Sequence, residues 1–266
     1  MTPRKFQQTI REYYKENKRN FPWRKTRDPY KILVSEIMLQ QTQALRVIPK
    51  YTSFIQKFPN TYALAHAELK EVLLEWQGLG YNRRALFLKT CAEKIEADFN
   101  GKFPKDFKLL CSLPGIGPAT AGDILAFAWN IPTVVVETNI RSVFIHFFFK
   151  EKEHVHDKEL IPLIEKTLDR ENPREWYSAL FDYGAYLKQT SNPSRRSAHH
   201  SKQTAFAGSD RQKRAHVLRI ILQKPCTEKE IQTITLYKAH MITKIITELT
   251  KEGFIKKIKR GLYTVV

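Results

Sequence analysis

Sulfur is scarce in this chain, and acid is far outnumbered by base. Three cysteines, Cys91, Cys111 and Cys226, are scattered through 266 residues and form no C-x-x-C pair. Neither a disulfide framework nor a metal cluster with about four closely paired ligands is therefore written into the sequence, and all three read as small core residues. Asp and Glu number 27 against 45 Lys and Arg, giving a formal net charge of +18. That excess goes beyond what solubility requires and points to a polyanionic partner, nucleic acid ahead of an anionic membrane surface. No apolar run is long enough to span a bilayer, and MTPRKFQQTIREYYKENKRN has no apolar stretch of the kind a signal peptide needs. No membrane role is expected, and a cytoplasmic, nucleoid-associated protein is. The length suits one large or two modest domains, and 42% hydrophobic residues can fill a real core.

The periodicity predicts an all-α protein. Residues 5–19 form a basic amphipathic helix with Phe6, Ile10 and Tyr13 or Tyr14 on its apolar side, stopped by Phe21-Pro22-Trp23-Arg24. After Asp28-Pro29, YKILVSEIMLQQTQ carries Ile32, Leu33, Ile37 and Leu39 at helical spacing, and Glu36 interrupts that run. Its carboxylate lies either at the edge of the buried face or inside a pocket. Helices are predicted at about 44–57, 61–66, 68–76, 82–99, 106–112, 118–129, from 138 or 139, 157–170 and 173–188, with Pro and Gly between several of them. Ser191 to Asp210 reads as a polar, basic linker. Beyond it, helices at 211–223, from Thr227 to Ile234 and from Tyr237 to Lys251 precede two short strands around Arg260-Gly261. That is the order of a winged helix-turn-helix, and roughly half of the net charge lies after residue 200. It suits a second DNA-contacting module or a module for protein contacts.

Residues 113–141 say most about function. In Leu113-Pro114-Gly115-Ile116-Gly117-Pro118 one proline stops a helix, two glycines supply a positive-φ turn, and the second proline opens the next helix. The amides of Gly115 and Gly117 are then placed to meet a phosphate at a helix N-terminus. Such a hairpin has no reactive side chain, so chemistry must come from elsewhere, and Glu137 is the first candidate.

Jointly and in order, FPWR, DPYKILVSEIMLQQTQ, WQGLGYNRRA, GKFP, LPGIGPATAGDIL, ETNIRSV and DYGA resemble a helix-hairpin-helix DNA glycosylase of the endonuclease III superfamily, most closely its adenine glycosylase branch, MutY. The match runs over about residues 20–193. It implies a two-lobed helix-hairpin-helix fold with DNA in the cleft between the lobes. The expected domains are a glycosylase domain over 1–205, with lobes at about 28–133 and at 1–27 plus 134–205, and a winged helix over 211–266. Residue by residue, the resemblance puts Glu36 on the general acid that protonates the leaving adenine. Glu137 falls on the family's aspartate, and Asn139 on its asparagine. Gln40 and Gln41 match glutamines at the gap left by the extruded base, and Tyr81 an aromatic beside the partner base. Leu113, Gly115, Gly117 and Thr120 fall on the phosphate clamp. Glycosidic cleavage puts positive charge on the sugar and negative charge on the base, which is why a proton donor and a carboxylate are both needed. Burial should keep Glu36 protonated, and a helix N-terminus should keep Glu137 ionised.

Four departures from the family pattern matter. Ala119 stands where endonuclease III carries its Schiff-base lysine, so a monofunctional enzyme is expected. Glu137 is one methylene longer than the usual aspartate. Lys188, Arg195 and Ala198 lie at or near cluster-cysteine positions, so no iron-sulfur cluster is expected, and Arg195, Arg196 and Lys202 take over phosphate contact. The expected cofactor list holds at most a monovalent cation at the hairpin. The winged helix replaces the Nudix-like domain. The expectation is a glycosylase acting as a monomer on double-stranded DNA with a mismatched or damaged base, adenine opposite 8-oxoguanine or guanine. The alternatives are a thymine or uracil glycosylase acting opposite guanine and a non-catalytic damage-binding protein.

Overall fold

A computed structural model describes residues 1–202 and 205–266. Its helices are α1 (Pro3–Asn17), α2 (Pro29–Leu39), α3 (Ala44–Lys57), α4 (Thr61–His66), α5 (Leu69–Trp76), α6 (Arg83–Phe99), α7 (Phe107–Cys111), α8 (Pro118–Trp129), α9 (Thr138–Phe148), α10 (Asp157–Thr167), α11 (Pro173–Thr190), α12 (Asp210–Gln223), α13 (Glu228–Thr235) and α14 (Ala239–Lys251). Strands β1 (Ile255–Lys257) and β2 (Tyr263–Val265) close the chain as an antiparallel pair, Ile255 opposite Val265 and Lys257 opposite Tyr263. Nearly every expected helix is present within a residue or two. Proline or a polar cap explains many starts: Pro3, Pro118 and Pro173 stand in first turns, and Asn60, Asp106 and Thr227 accept backbone N–H bonds. The mostly helical fold with one small C-terminal sheet agrees with the expected class.

The contacts divide the chain into two compact units, Met1–Ile37 with Phe103–Lys202, and Met38–Lys102 with Gln203–Val266. These limits differ from the expected lobes: residues 38–102 separate from the hairpin, and the C-terminal module groups with them.

In the first unit, α1, α9, α10 and α11 enclose one core. Phe6 is fully buried, with its ring 5.1 Å from Phe144 and 5.8 Å from Trp176. Each such side chain contributes on the order of 2–3 kcal/mol. Tyr14 rather than Tyr13 completes the buried face of α1. The stretch expected as a linker is partly built into this unit: Pro193 and Ser194 are buried in a 3-10 turn, Val155 N–H donates to the Arg196 carbonyl at 2.9 Å, and Ala198 N–H to that of Val155 at 2.9 Å. Positions 203 and 204 of that linker lie outside the described residues.

In the second unit, α3, α5 and α6 bury Val47, Phe54, Val72, Trp76 and Leu88. The C-terminal module encloses Val217, Ile221, Ile242, Leu249 and Phe254, with α12 against α5. Three helices and then a two-stranded antiparallel sheet follow one another here in the element order expected. No helix among the described residues is long and apolar enough to cross a membrane.

Candidate active site

Glu36 sits on a helix that is otherwise apolar. Asp28 starts α2 by accepting from Tyr30 N–H at 2.9 Å, and Ile32, Leu33, Val34 and Ile37 on the same helix are buried. Glu36 itself keeps partial solvent contact. Burial, followed by the nearby Glu137 charge and opposed by Arg24, pushes its carboxyl up to about 8. It is therefore mostly protonated at neutral pH, the form an acid catalyst requires. Arg24 is held by Asp182, which accepts from its two terminal nitrogens at 2.8 Å each and from Arg19 Nε at 2.5 Å. The FPWR segment and the DYGA element are thereby one ion-paired assembly.

Glu137 is the N-cap of α9. Its carboxylate accepts from Ile140 N–H at 2.8 Å and from Asn139 Nδ2 at 3.3 Å. Two close approaches set this cap. A Cβ on Gly184 would lie 2.5 Å from the Asn139 carbonyl oxygen, and one on Gly122 2.7 Å from Val135 Cγ2, so only glycine lets α11 and α8 come that near. Tyr177 Oη accepts from Val135 N–H at 3.2 Å and donates to the Thr133 carbonyl, pinning the extended segment that enters Glu137. Burial pushes Glu137 upward, while the Asn139 and Ile140 amides, Arg141 and Lys188 oppose it. The helix N-terminus alone does not set its ionisation, contrary to the simpler expectation.

A third carboxyl was missed. Asp123 on α8 is 4% exposed, and its Oδ1 has no hydrogen-bond partner. Burial first, then the charges of Glu36 and Glu137, raise it well above the usual carboxylate range. The charge of Glu137 contributes to the upward shift of both Glu36 and Asp123. The signal was available, because Asp123 interrupts an apolar helix just as Glu36 does. The three are not arranged as a metal site, since no group of three or more His, Cys, Asp or Glu suited to an ion occurs among the described residues.

The hairpin joins α7 to α8. Gly115 has φ +77 and supplies the turn, which Ile116 N–H closes onto the Leu113 carbonyl at 3.2 Å. Gly117 is different from expectation: its φ of −91 is extended backbone, and it serves as the N-cap of α8 ahead of Pro118. Both glycines are exposed, and their amides donate no backbone hydrogen bond among the described residues. Leu113 and Thr120, by contrast, are buried at 2% and 8% exposure. They build the hairpin from inside rather than line its anion-facing surface. Ala119 presents no amine.

In the second unit, Arg84 organises the residues expected to meet the vacated base. It donates to the Met38, Gln40 and Gly80 carbonyls at 2.8, 2.6 and 3.0 Å, and burial lowers its pKa to about 10. Gln41 is exposed with φ +56, and Tyr81 is 38% exposed with φ +49. Of the expected basic contacts, Arg195 is exposed, whereas Arg196 donates to the Phe149, Lys150 and Lys152 carbonyls. Arg196 is a strut of that loop, which charge counting did not reveal. Lys188, Arg195 and Ala198, at or near the positions of the family's cluster cysteines, bring no thiolate.

The family model described as "HhH-GPD superfamily base excision DNA repair protein" matches residues 34–166. The chain belongs to this superfamily. Among curated HhH-GPD relatives, the adenine DNA glycosylase of Buchnera aphidicola subsp. Baizongia pistaciae is 38% identical over 73% of this chain and 56% of its own length. That of Mycolicibacterium smegmatis is 29% identical over 94% of this chain and 92% of its own length. The chain spans little more than half the length of the Buchnera relatives it matches. Among solved structures, a thermostable thymine-DNA glycosylase aligns with TM-score 0.63 and 28% identity, covering 69% of this chain and 86% of that one. Endonuclease III in a non-covalent DNA complex aligns with TM-score 0.61 at 19% identity over 73% and 90%, a likeness of fold.

Proposed function

We propose that this protein is a monofunctional DNA glycosylase that hydrolyses the N-glycosidic bond of a mispaired base flipped out of duplex DNA, adenine opposite 8-oxoguanine or guanine. The observation that carries this reading is the pair of unlike carboxyls in one unit: Glu36 held protonated by burial, and Glu137 capping a helix with its carboxylate accepting from Ile140 N–H. Glu36 gives its proton to the departing base as the N-glycosidic bond breaks, the carboxylate of Glu137 stabilises the positive charge growing on the sugar, and water adds at C1′, its released proton returning to the Glu36 carboxylate. Asn139 holds Glu137 in place. Gly115 and Gly117 grip a backbone phosphate with their amides and the N-terminus of α8, and exposed Arg195 adds charge to DNA contact. Gln40, Gln41 and Tyr81 meet the strand where the base has left. Adenine is favoured by the glycosylases named for it among the relatives. Ala119 supplies no amine for a Schiff base, so the product is an abasic site in an intact strand. The chain acts as a monomer and uses no iron.

The likeness to a thymine-DNA glycosylase favours one second reading, excision of thymine or uracil opposite guanine. Duplexes carrying A opposite 8-oxoguanine, A opposite G, T opposite G and U opposite G, each cleaved with alkali after incubation, separate the two. Adenine-specific product is expected. Product from T opposite G alone selects the second reading, and tight binding without product from any duplex removes the enzyme.

A further inference from the structure

The C-terminal module is not joined to the rest of its unit by packing alone. At the start of α12, Arg211 Nη1 donates to Tyr81 Oη at 2.7 Å, and the same guanidinium carbon lies 5.7 Å from the centre of the Tyr81 ring. Arg84 faces that ring as well, at 5.6 Å. One turn along α12, Arg214 pairs with Glu252, which also takes Arg83 at 2.9 Å through both of its oxygens. Arg83 and Tyr81 flank Asn82, so the module grips the loop that carries Tyr81 at two points.

This loop needs external support. Gly78, Gly80 and Tyr81 all have positive φ, at +92, +75 and +49, and for tyrosine that backbone is strained. An exposed side chain on such a backbone has several orientations open to it. The cation beside the ring and the charge-assisted bond to the hydroxyl together select one of them. Arg84 fixes the ring from within residues 38–102, while Arg211 fixes the hydroxyl from the C-terminal module.

We propose that Arg211 is a positioning residue for Tyr81, and that through it the C-terminal module takes part in discriminating the base opposite the excised one. This rests on the reading above that Tyr81 stands beside that base. An oriented phenol hydroxyl, already bonded to a cation, presents a more polarised face to the partner base than a freely turning one. The module therefore reads the opposite base at one remove, without having to reach into the duplex itself.

The test uses the full-length protein and compares Arg211→Met, which keeps the aliphatic stem, Tyr81→Phe, which keeps the ring, and the double variant. Two ratios are measured: single-turnover excision of A opposite 8-oxoguanine against A opposite cytosine, and affinity for an abasic-site analogue opposite the same two bases. Each single variant is expected to lose about tenfold in these ratios, and the double variant no more than either single one. Additive losses, or an Arg211→Met protein with unchanged ratios while Tyr81→Phe alters them, overturn the proposal. Unchanged ratios in a fourth variant, Tyr81→Ala, measured alongside, instead overturn the placement of Tyr81. If the wild-type protein cleaves nothing, the glycosylase reading fails and the affinity ratios alone decide the role of Arg211. Tyr81→Phe leaves the Arg83–Glu252–Arg214 pairing in place, so it reads the contact even if Arg211→Met unfolds.

Discussion

Replacing Glu36 with glutamine should make the protein less sensitive to alkali while abolishing its chemistry. In the folded state this carboxyl is raised from an ordinary 4.5 to about 8. The folded form therefore holds the proton more tightly than the unfolded one. The contribution of this group to stability is fully present below 4.5 and is lost as pH rises through about 8. Linkage at about 1.4 kcal/mol per tenfold change puts the ionisation penalty near 1 kcal/mol at pH 5 and near 5 kcal/mol at pH 9. For a chain of this size 1 kcal/mol moves Tm by about 2 °C, so Glu36 alone accounts for a fall of up to about 8 °C over that span. Its partial solvent contact makes this a ceiling. Melting curves at pH 5 to 9 for wild type and Glu36→Gln measure it, with the slope as the readout because the glutamine amide adds a constant offset. Asp123 and Glu137, raised in the same direction, leave the variant with a shallower slope rather than none. Parallel curves for the two proteins would refute the reasoning. The same protonation makes single-turnover excision fall about tenfold per pH unit above 8.

Asp123→Asn keeps the shape of the neutral acid that burial favours, so excision at pH 7 should stay within about threefold of wild type; a loss of a hundredfold would make its proton part of the reaction. Removing the cap with Glu137→Ala should cost about 1 kcal/mol of stability in denaturant titrations and on the order of a hundredfold in excision rate, whereas full activity would take Glu137 out of the mechanism. Borohydride added during turnover should trap no covalent protein–DNA adduct, since Ala119 has no amine; trapping at the level of a lysine-dependent lyase would contradict this. Purified protein should be colourless and free of iron by metal analysis.

Local chemistry was legible in the sequence, and long-range contact was not. Proline, glycine and polar caps punctuate the chain densely enough that helix limits could be read directly, and Glu36 betrayed itself by breaking an apolar run. Asp123 carried the same signature, but it lies beside a glycine hairpin whose interest is in its backbone. Tyr177 and Gly184 matter through segments some forty residues away, Thr133–Val135 and Asn139, and no periodicity encodes such pairs. Arg196 shows the limit of counting charge, because its guanidinium is committed to backbone carbonyls. Leu113 and Thr120 lie within a motif defined by its surface, yet their own side chains point inward. The grouping of the C-terminal module with residues 38–102 depends on contacts such as Arg83–Glu252 that composition cannot forecast.

The contact between Gly184 and Asn139 has a genetic consequence. Position 184 lies in the middle of a core helix, where alanine would ordinarily be the more favourable residue. Here a single methyl group would push on the backbone of the residue that steadies Glu137. A substitution there should cost stability and catalysis together. In a selection for raised mutation frequency, Gly184 should therefore recur among loss-of-function alleles even though it carries no chemistry of its own.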